Sequence, residues 1–201
     1  MAVNTAPKWK RKRRNISAAY LHECFSYEPD TGRLVWKARP LSHFVDARIQ
    51  ASTNTKFVGK EAGRVWELSQ HGRPSKQAFG NVFIEHGPYR INRVIWALVH
   101  NLSMDEVPPT LDHKDVYGGN NALDNLRPAT RSQNGYNRRK QGNNTSGFKG
   151  VSFDKARGKF KASIGYEKRF VNLGRFDTAE EAFAAYCEAA RKYHGEFART
   201  E

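Results

Sequence analysis

The sequence predicts an α+β fold in which short antiparallel strands and separate helices follow one another. Two patterns lead to this class. Apolar and polar residues alternate in short segments divided by turn residues, which is typical of hairpin strands. Apolar residues recur at helical spacing in other segments, among them 16–26 and 91–102, which indicates amphipathic helices. The length of 201 residues suits one ordinary domain or two small ones.

The first 79 residues divide into an arm and a helix/hairpin region. Residues 1–15 carry a basic stretch without acidic residues and predict a flexible arm. Residues 16–79 begin with a helix capped by Ser17 and continue into a strand, "RLVWKA". Within them, the stretch from residue 40 is polar and divided by glycines up to residue 75, so it predicts irregular structure. A hairpin that turns at Gly87-Pro88 is expected next.

The charge balance narrows the class of partner. Thirty-four Lys and Arg residues face twenty Asp and Glu residues, which gives a net charge of +14. Such an excess favours a polyanion, most simply a nucleic acid, although a generally solvated basic protein has the same composition. Two distant cysteines predict neither a disulfide framework nor a cysteine-based zinc site. No long apolar run is present, so we expect no membrane segment and a cytoplasmic location.

The C-terminal part predicts a small unit of its own. Residues 141–147 are small and polar and predict a linker. Three short alternating segments and one helix follow within 148–198, and Thr178 with Glu181 forms a capping box at the start of the helix. Three strands and a helix are close to the smallest α+β unit that folds alone.

The stretch "LDHKDVYGGNNALDNLRPATRSQN", residues 111–134, combines an acid, a histidine and several amides. A carboxylate from Asp112 and an amide oxygen from Asn134 would suit a hard divalent cation such as Mg²⁺. A neutral His113 beside it could accept a proton from water near pH 7. An Asp-His dipeptide is common, however, so a polar loop remains an open interpretation on these residues alone.

The spacing of this stretch resembles the HNH endonuclease motif of phage and intron-encoded homing-type nucleases. An Asn, Asn125, follows His113 by twelve residues within "DNLR", and Asn134 follows nine residues later. The resemblance implies a ββα-metal (His-Me finger) nuclease unit within 80–140. His113 would then act as general base and Asn125 would brace the loop and orient it. Asp112 and Asn134 would hold one divalent ion, Mg²⁺ or alternatively Mn²⁺.

The same resemblance implies phosphodiester hydrolysis near a basic cluster. Three arginines, Arg127, Arg131 and Arg138, would clamp phosphates, and Arg139 belongs to the same cluster. One centre cuts one strand, so a monomer would nick, whereas a weak dimer or two events would cleave both strands. The turn reads Asp115-Val116-Tyr117 where relatives commonly carry Asp-Gly-Asn, with the loop length kept.

Residues 148–198 resemble the DNA-binding domain of plant ethylene-response factors, the apetala-two family, which also occurs fused to phage HNH nucleases. The matching runs include "FKGV", "GKF" and "LG" with a later "EEA" and "AY". The resemblance implies a sheet in the major groove of double-stranded DNA with the helix behind it, and Phe160 in the core. The implied DNA contacts come from strand residues and from the hairpin turn: Lys149, Lys161 and Arg169, and Arg157 and Lys159.

Together these patterns predict a metal-dependent DNA endonuclease whose C-terminal unit binds duplex DNA. In a bacterial virus it would act in the host cytoplasm. A sequence-specific DNA-binding regulator with an inactive HNH fold is the alternative hypothesis. The basic arm alone would also allow an RNA-binding structural protein.

Overall fold

The structure is a computed structural model that describes residues 15–70, 73–84 and 87–200. For residues 64–70 and 73–79 it describes the backbone alone. All but the last residue of the predicted arm lies outside the described residues. The chain forms two compact units. The first unit is Met1–Val107 with Gly118–Asn125, and the second unit is Pro108–Tyr117 with Leu126–Glu201. The predicted nuclease segment, 80–140, therefore contributes to both.

The first unit begins with a short helix and a hairpin. Helix α1 spans Ala18–Cys24, and the Ser17 hydroxyl accepts a hydrogen bond from the backbone N–H of Tyr20, as the cap prediction requires. Strand β1 is Phe25–Glu28, and it pairs antiparallel with strand β2, Arg33–Trp36.

The predicted irregular stretch from residue 40 to 75 is wrong in part. A 3-10 helix covers Leu41–His43, helix α2 covers Ala47–Phe57, and strand β3 covers Arg64–Gln70. None of the α2 residues is buried, so no apolar face marked this helix in the sequence. Its N-terminus is fixed by Asp46, whose carboxylate accepts a hydrogen bond from the Ile49 N–H at 2.8 Å.

A three-stranded sheet and a buried helix complete the first unit. Strand β4, Arg73–Ile84, pairs with β3 and with strand β5, Gly87–Arg90. The hairpin is as expected, but Gly87 and Pro88 lie in β5 rather than at its turn, since Gly87 pairs with Ile84. Helix α3, Ile91–Val99, buries one face, with Val94 fully covered.

The second unit begins with two short strands and a helix. Strand β6 is Leu111–His113, strand β7 is Leu126–Pro128, and the two pair antiparallel. Helix α4, Arg131–Tyr136, follows β7, and Thr130 caps it through a capping box with Gln133.

Three strands and one long helix form the rest of the second unit. The strands are β8, Val151–Asp154, β9, Lys159–Tyr166, and β10, Arg169–Phe176, with β9 in the middle. Helix α5, Ala179–His194, packs on one face of this sheet and carries the predicted Thr178 capping box. Phe160 packs against this core, as predicted.

The described elements make the fold class α+β, as the sequence predicted. Each strand pair is antiparallel, and the helices lie between strand groups along the chain rather than between parallel strands. Within the described part of the chain, no helix is long and apolar enough to cross a membrane.

Candidate nucleic-acid interface and nuclease centre

The Asp-His pair lies at the end of strand β6. In the antiparallel register, Asp112 is opposite Arg127 and His113 is opposite Leu126. Asp112 is buried, with 4% of its surface exposed, whereas His113 is half-buried. A tight turn follows, in which the Val116 N–H donates to the His113 carbonyl at 2.9 Å. The two side chains therefore occupy different environments, as neighbours on a strand should.

The Asp112 carboxylate is held by two side chains. The Arg127 Nε and a terminal guanidinium nitrogen lie 3.0 and 2.9 Å from Asp112 Oδ2. The Asn137 Nδ2 lies 3.1 Å from Oδ1 and 3.0 Å from Oδ2, and it also donates to the His113 carbonyl at 2.8 Å. Asn137 is buried. As the residue that follows α4, it therefore links the end of this helix to the Asp-His strand. The sequence interpretation missed this role.

Arg127 has a structural environment that differs from that of a phosphate clamp. Its side chain is only 11% exposed and its guanidinium lies 3.8 Å from the centre of the Phe197 ring. A terminal nitrogen also donates to the Glu196 carbonyl at 2.7 Å. The guanidinium is enclosed by Asp112, Glu196 and Phe197. It is therefore not presented to solvent, and the prediction that Arg127 clamps a phosphate is wrong.

Asn134 lies on helix α4 and is half-buried. Its backbone N–H continues the helix by donating to the Thr130 carbonyl at 3.0 Å. Within the described residues we find no hydrogen bond from its side chain. The amide that reaches the Asp112 carboxylate is thus Asn137, one helical turn further along, while Asn134 keeps an available amide.

Asn125 belongs to the first unit, in the loop Gly118–Asn125. It is buried, and its Nδ2 donates to the Asn120 carbonyl at 2.8 Å within the loop, while its role in orienting His113 stays a prediction. Asn121 lies in the same loop. It is 5% exposed, and its carbonyl accepts a 3.4 Å hydrogen bond from the Tyr27 hydroxyl. Asn121 is therefore a packed residue of the first unit.

The β8–β9–β10 sheet presents one polar face opposite its core. We call it the outer face; its members alternate with the helix-side residues of the same strands. Lys161 pairs with Ser152 on one side and with Arg175 on the other, and Ser163 pairs with Asn172. The outer face thus includes Ser152, Lys161, Ser163, Asn172 and Arg175, and Phe170, opposite Gly165, has the same strand phase.

The register separates the predicted strand contacts. Lys161 lies on the outer face, as expected. Arg169 has the strand phase of Val171, which packs toward α5, yet it is exposed at the first position of β10, so its predicted DNA contact stays a prediction. Arg175 was missed because a bulge between Asn172 and Gly174 shifts the alternation. Gly174 in mid-strand, with φ of +126°, is the sequence signal for that bulge.

Lys149, predicted to face DNA, precedes β8 and is half-buried. Its Nζ donates to the Tyr136 carbonyl at 2.6 Å. Burial, with the charge of Arg199 as a smaller cause, lowers the pKa of Lys149 from 10.5 to about 8. The ammonium is therefore committed to a backbone partner inside the second unit.

Three cations of the sheet region, Arg157, Lys159 and Arg175, are paired with carboxylates. Asp154 Oδ2 lies 3.3 Å from a guanidinium nitrogen of Arg157 and 2.9 Å from the Arg175 Nε. The Lys159 Nζ lies 2.9 Å from an oxygen of Asp177. Hydrogen bonds from Arg175 and Arg157 hold the pKa of Asp154 below its usual range.

Two comparisons with known proteins bear on this geometry. The AP2 domain family matches residues 146–196, the span that holds the three strands and helix α5. Protein 3.8 of Escherichia phage T7 is 37% identical over 89 residues, which are 44% of this chain and 73% of that protein. The chain belongs to the Protein 3.8 family. No solved structure matches it.

The AP2 match in this Protein 3.8 relative confirms the predicted resemblance of the C-terminal unit to the AP2 family. Because the AP2 domain is a DNA-binding domain, the match implies that the unit binds DNA. The polar outer face lies on the side of the sheet away from helix α5. Neither match names a nuclease, so the nuclease interpretation stays a prediction.

Four exposed arginines complete the predicted contacts in this family member. Arg131 begins helix α4, and Arg138 and Arg139 follow its end. Arg157 lies at the β8–β9 turn. Of these, Arg139 donates weakly to the Asp115 carbonyl at 3.5 Å, and Arg157 contacts Asp154. All four side chains remain accessible to a phosphate.

Proposed function

We propose that this protein binds duplex DNA through the outer face of its AP2 sheet and discriminates among sequences there. The AP2 match over the sheet and its helix is the observation that carries the proposal. Lys161 and Arg175 are adjacent across β9 and β10 and supply donors of the kind that read guanine edges. Ser152, Ser163 and Asn172 add side chains that both donate and accept hydrogen bonds.

The hairpin turn would position the sheet on the DNA backbone. Arg157 and Lys159 are exposed at one end of the sheet, where phosphate contacts fix register without reading sequence. Arg131 and Arg139 would add further phosphate contacts. Since the family relative is a phage protein, the host bacterial cytoplasm is the proposed place of action.

Selection from a pool of randomised duplexes tests this proposal. The wild-type chain should enrich a common sequence, and Lys161→Ala with Arg175→Ala should lose the enrichment and weaken binding about ten-fold or more. The double variant Lys56→Ala, Lys60→Ala removes two exposed cations of the first unit and serves as the charge-matched control. A wild-type chain that binds no duplex, or a control that loses as much as the outer-face variant, would refute the proposal.

Metal-dependent DNA hydrolysis is a second candidate function, favoured by one specific arrangement. Strand β6 with Asp112 and His113 pairs with β7, and helix α4 with Asn134 follows directly. This order supports a ββα nuclease unit at the spacing that the sequence motif implies. Within the described residues, no group of three His, Cys, Asp or Glu side chains could hold a metal.

The donor chemistry nevertheless fits one Mg²⁺ or Mn²⁺. Asp112 and Asn134 offer hard oxygen donors, and Mg²⁺ commonly takes one or two protein ligands and fills the rest with water and phosphate. Among the described residues, Asp112 Oδ1 accepts a hydrogen bond from the Asn137 amide alone, so it retains acceptor capacity. The bound ion would neutralise charge on the scissile phosphate. Asp112 and Asn134 would hold it.

His113 would supply the base in this candidate mechanism. Its backbone carbonyl is fixed by hydrogen bonds from Asn137 and Val116, which anchors the end of β6. The half-buried imidazole would accept a proton from water as the water attacks phosphorus. A single centre would nick one strand, and a weak dimer would be needed to cut both at once.

The Asp112–Arg127 pair is compatible with the regulator hypothesis as well as with the nuclease hypothesis. A carboxylate whose Oδ2 is held by a buried guanidinium resembles a structural ion pair as much as a metal ligand. A DNA-binding regulator with an inactive HNH fold would contain the same pair. The AP2 match supports DNA binding under both hypotheses.

Plasmid relaxation separates the two hypotheses. Supercoiled plasmid is incubated with the protein in Mg²⁺, in Mn²⁺ and in EDTA, alongside His113→Ala and Asn134→Ala. The nuclease hypothesis expects nicking that needs the metal and that both substitutions abolish, while plasmid binding persists. His22→Ala, at an exposed position of helix α1, is the matched control and should cut normally. Binding without nicking in either metal leaves the regulator hypothesis.

A further inference from the structure

The second unit contains an open cleft of about 720 Å³ that shares Ser152, Ser163 and Arg139 with the proposed duplex contact and otherwise lies outside it. The end of helix α4, the segment 137–145 and the adjoining ends of β8, β9 and β10 line it. The whole lining belongs to the second unit. We call it the basic cleft.

The basic cleft is lined by cations and by no acidic side chain among the described residues. Its Lys and Arg members come from the segment after α4, from the start of β8 and from the β9–β10 turn. They are Arg138, Arg139, Lys140, Lys149, Lys168 and Arg169.

These six cations lack carboxylate partners within the described part of the chain. Where their charged groups have hydrogen-bond partners, those are backbone carbonyls, as for Lys149 with Tyr136 and Lys140 with Gly147, each at 2.6 Å. A carbonyl orients an ammonium without cancelling its charge. The cleft therefore concentrates positive potential that an anionic chain would neutralise.

Aromatic rings accompany the charge. Tyr136 and Tyr166 both line the cleft, with ring centroids 6.5 Å apart. Phe170 also lines the cleft. It is 88% exposed, which is unusual for a phenylalanine. A positive groove with aromatic side chains is the arrangement that binds single-stranded nucleic acid, because unpaired bases stack on the rings.

The dimensions favour a single strand over a duplex. A cavity of this size is in the range that holds nucleotide-sized groups, roughly 300–1,000 Å³. The major groove of a duplex alone is about 12 Å wide, so a whole duplex needs an open surface such as the sheet. We infer that the basic cleft binds an unpaired DNA strand, with phosphates on Arg138, Arg139 and Lys140 and a base on Phe170.

This inference deepens the proposed DNA binding and is tested separately from it. Fluorescence anisotropy of the full chain is measured with labelled dT10, which forms no secondary structure, with a random 20-base-pair duplex and with rU10. The cleft variant is Arg138→Ala, Arg139→Ala, Lys140→Ala, three exposed positions. The control variant is Arg48→Ala, Lys56→Ala, Lys60→Ala, which removes the same charge from exposed positions of the first unit.

The cleft variant should bind dT10 at least about ten-fold more weakly than wild type. Three lost phosphate contacts should also reduce the slope of log affinity against log salt by about 2, since each contact contributes about 0.7 on a single strand. The control variant should keep the wild-type slope. Phe170→Ala should weaken dT10 binding about five-fold or more without changing the slope, because stacking releases no counterions.

Three outcomes overturn the inference. They are no dT10 binding by the wild type, equal losses in the cleft and control variants, or tighter binding of rU10 than of dT10. If the wild type binds dT10 but does not bind the duplex, the sheet is refuted as a duplex site and the cleft assignment stands.

Discussion

The sheet region and the basic cleft of the second unit carry the same kinds of cation in different electrostatic settings. Around the sheet, Arg157 and Arg175 share Asp154, and Lys159 contacts Asp177. In the cleft, none of the six lining cations has a carboxylate partner among the described residues. Paired cations have fixed orientations and little net field, which suits reading of a sequence. Unpaired cations suit salt-sensitive affinity.

Arg127 is the extreme case of the paired class. It is the nearly buried partner of Asp112, and it contacts Phe197 and Glu196 in the C-terminal 3-10 helix, Gly195–Phe197. Within the second unit it therefore ties the Asp-His strand pair to the end of the AP2 unit. The comparison of paired and unpaired cations predicts different consequences when each is removed.

Replacement of Arg127 by alanine should have the largest effect on folding. It leaves the Asp112 carboxylate buried without its cation, and such a change typically costs about 3–5 kcal/mol. Arg138→Ala, at an exposed position without a carboxylate partner, should change the free energy of unfolding by less than about 0.5 kcal/mol. Urea denaturation followed by far-UV circular dichroism measures both.

A second substitution separates charge burial from lost packing. Asp112→Asn added to Arg127→Ala removes the uncompensated charge and should recover part of the lost stability. If Arg127→Ala instead retained stability and lost DNA affinity, Arg127 would belong with the cleft cations, and the division between the two classes would fail.

Lys149 should make stability depend on pH with a definite sign. Its folded-state pKa is lowered to about 8 from an unfolded value of 10.5, so between these values the unfolded chain binds more protons. The free energy of unfolding should therefore gain a contribution that rises from about pH 8 to pH 10.5 and is constant outside that window. Lys149→Met should lack this contribution.

The measurement is a series of urea titrations of both proteins between pH 7 and pH 10.5. The wild type should gain stability relative to Lys149→Met as pH rises through the window. A difference that stays flat would mean that the Lys149 ammonium is solvated like the other cleft cations rather than half-buried against Tyr136.

Elements with an apolar face or a capping residue could be predicted from the sequence. The three C-terminal strands, α3 and α5 follow their patterns, and the Thr178 cap is as expected. Helix α2 could not be predicted in this way, because none of its residues is buried and its only local signal is the Asp46 cap. A helix without a buried stripe has no periodicity to detect.

The candidate sites were predictable in composition but not in pairing. Strand alternation places Lys161 correctly, yet the bulge before Gly174 brings Arg175, rather than Arg169, to the same face. In the Asp-His strand pair, sequence spacing cannot tell which amide of "NGYN" reaches Asp112, because Asn134 and Asn137 are three residues apart and lie on one helical side. Long-range partners such as Phe197 for Arg127 leave no local signal.

The smallest expected effect converts the sheet region toward the electrostatics of the cleft. Asp154→Asn removes the carboxylate shared by Arg157 and Arg175, whose side chains are 62% and 34% exposed. Freed of that partner, both guanidiniums should attract phosphate more strongly, and affinity for random duplex should rise about two- to five-fold. Because Asp154 is not among the residues that line the cleft, dT10 binding should stay unchanged. Selectivity for the enriched duplex should fall, since the two guanidiniums lose the group that orients them. Anisotropy titrations of duplex and dT10 measure both effects. An equal gain in affinity for the two probes would show that net charge, rather than carboxylate pairing, distinguishes the two regions.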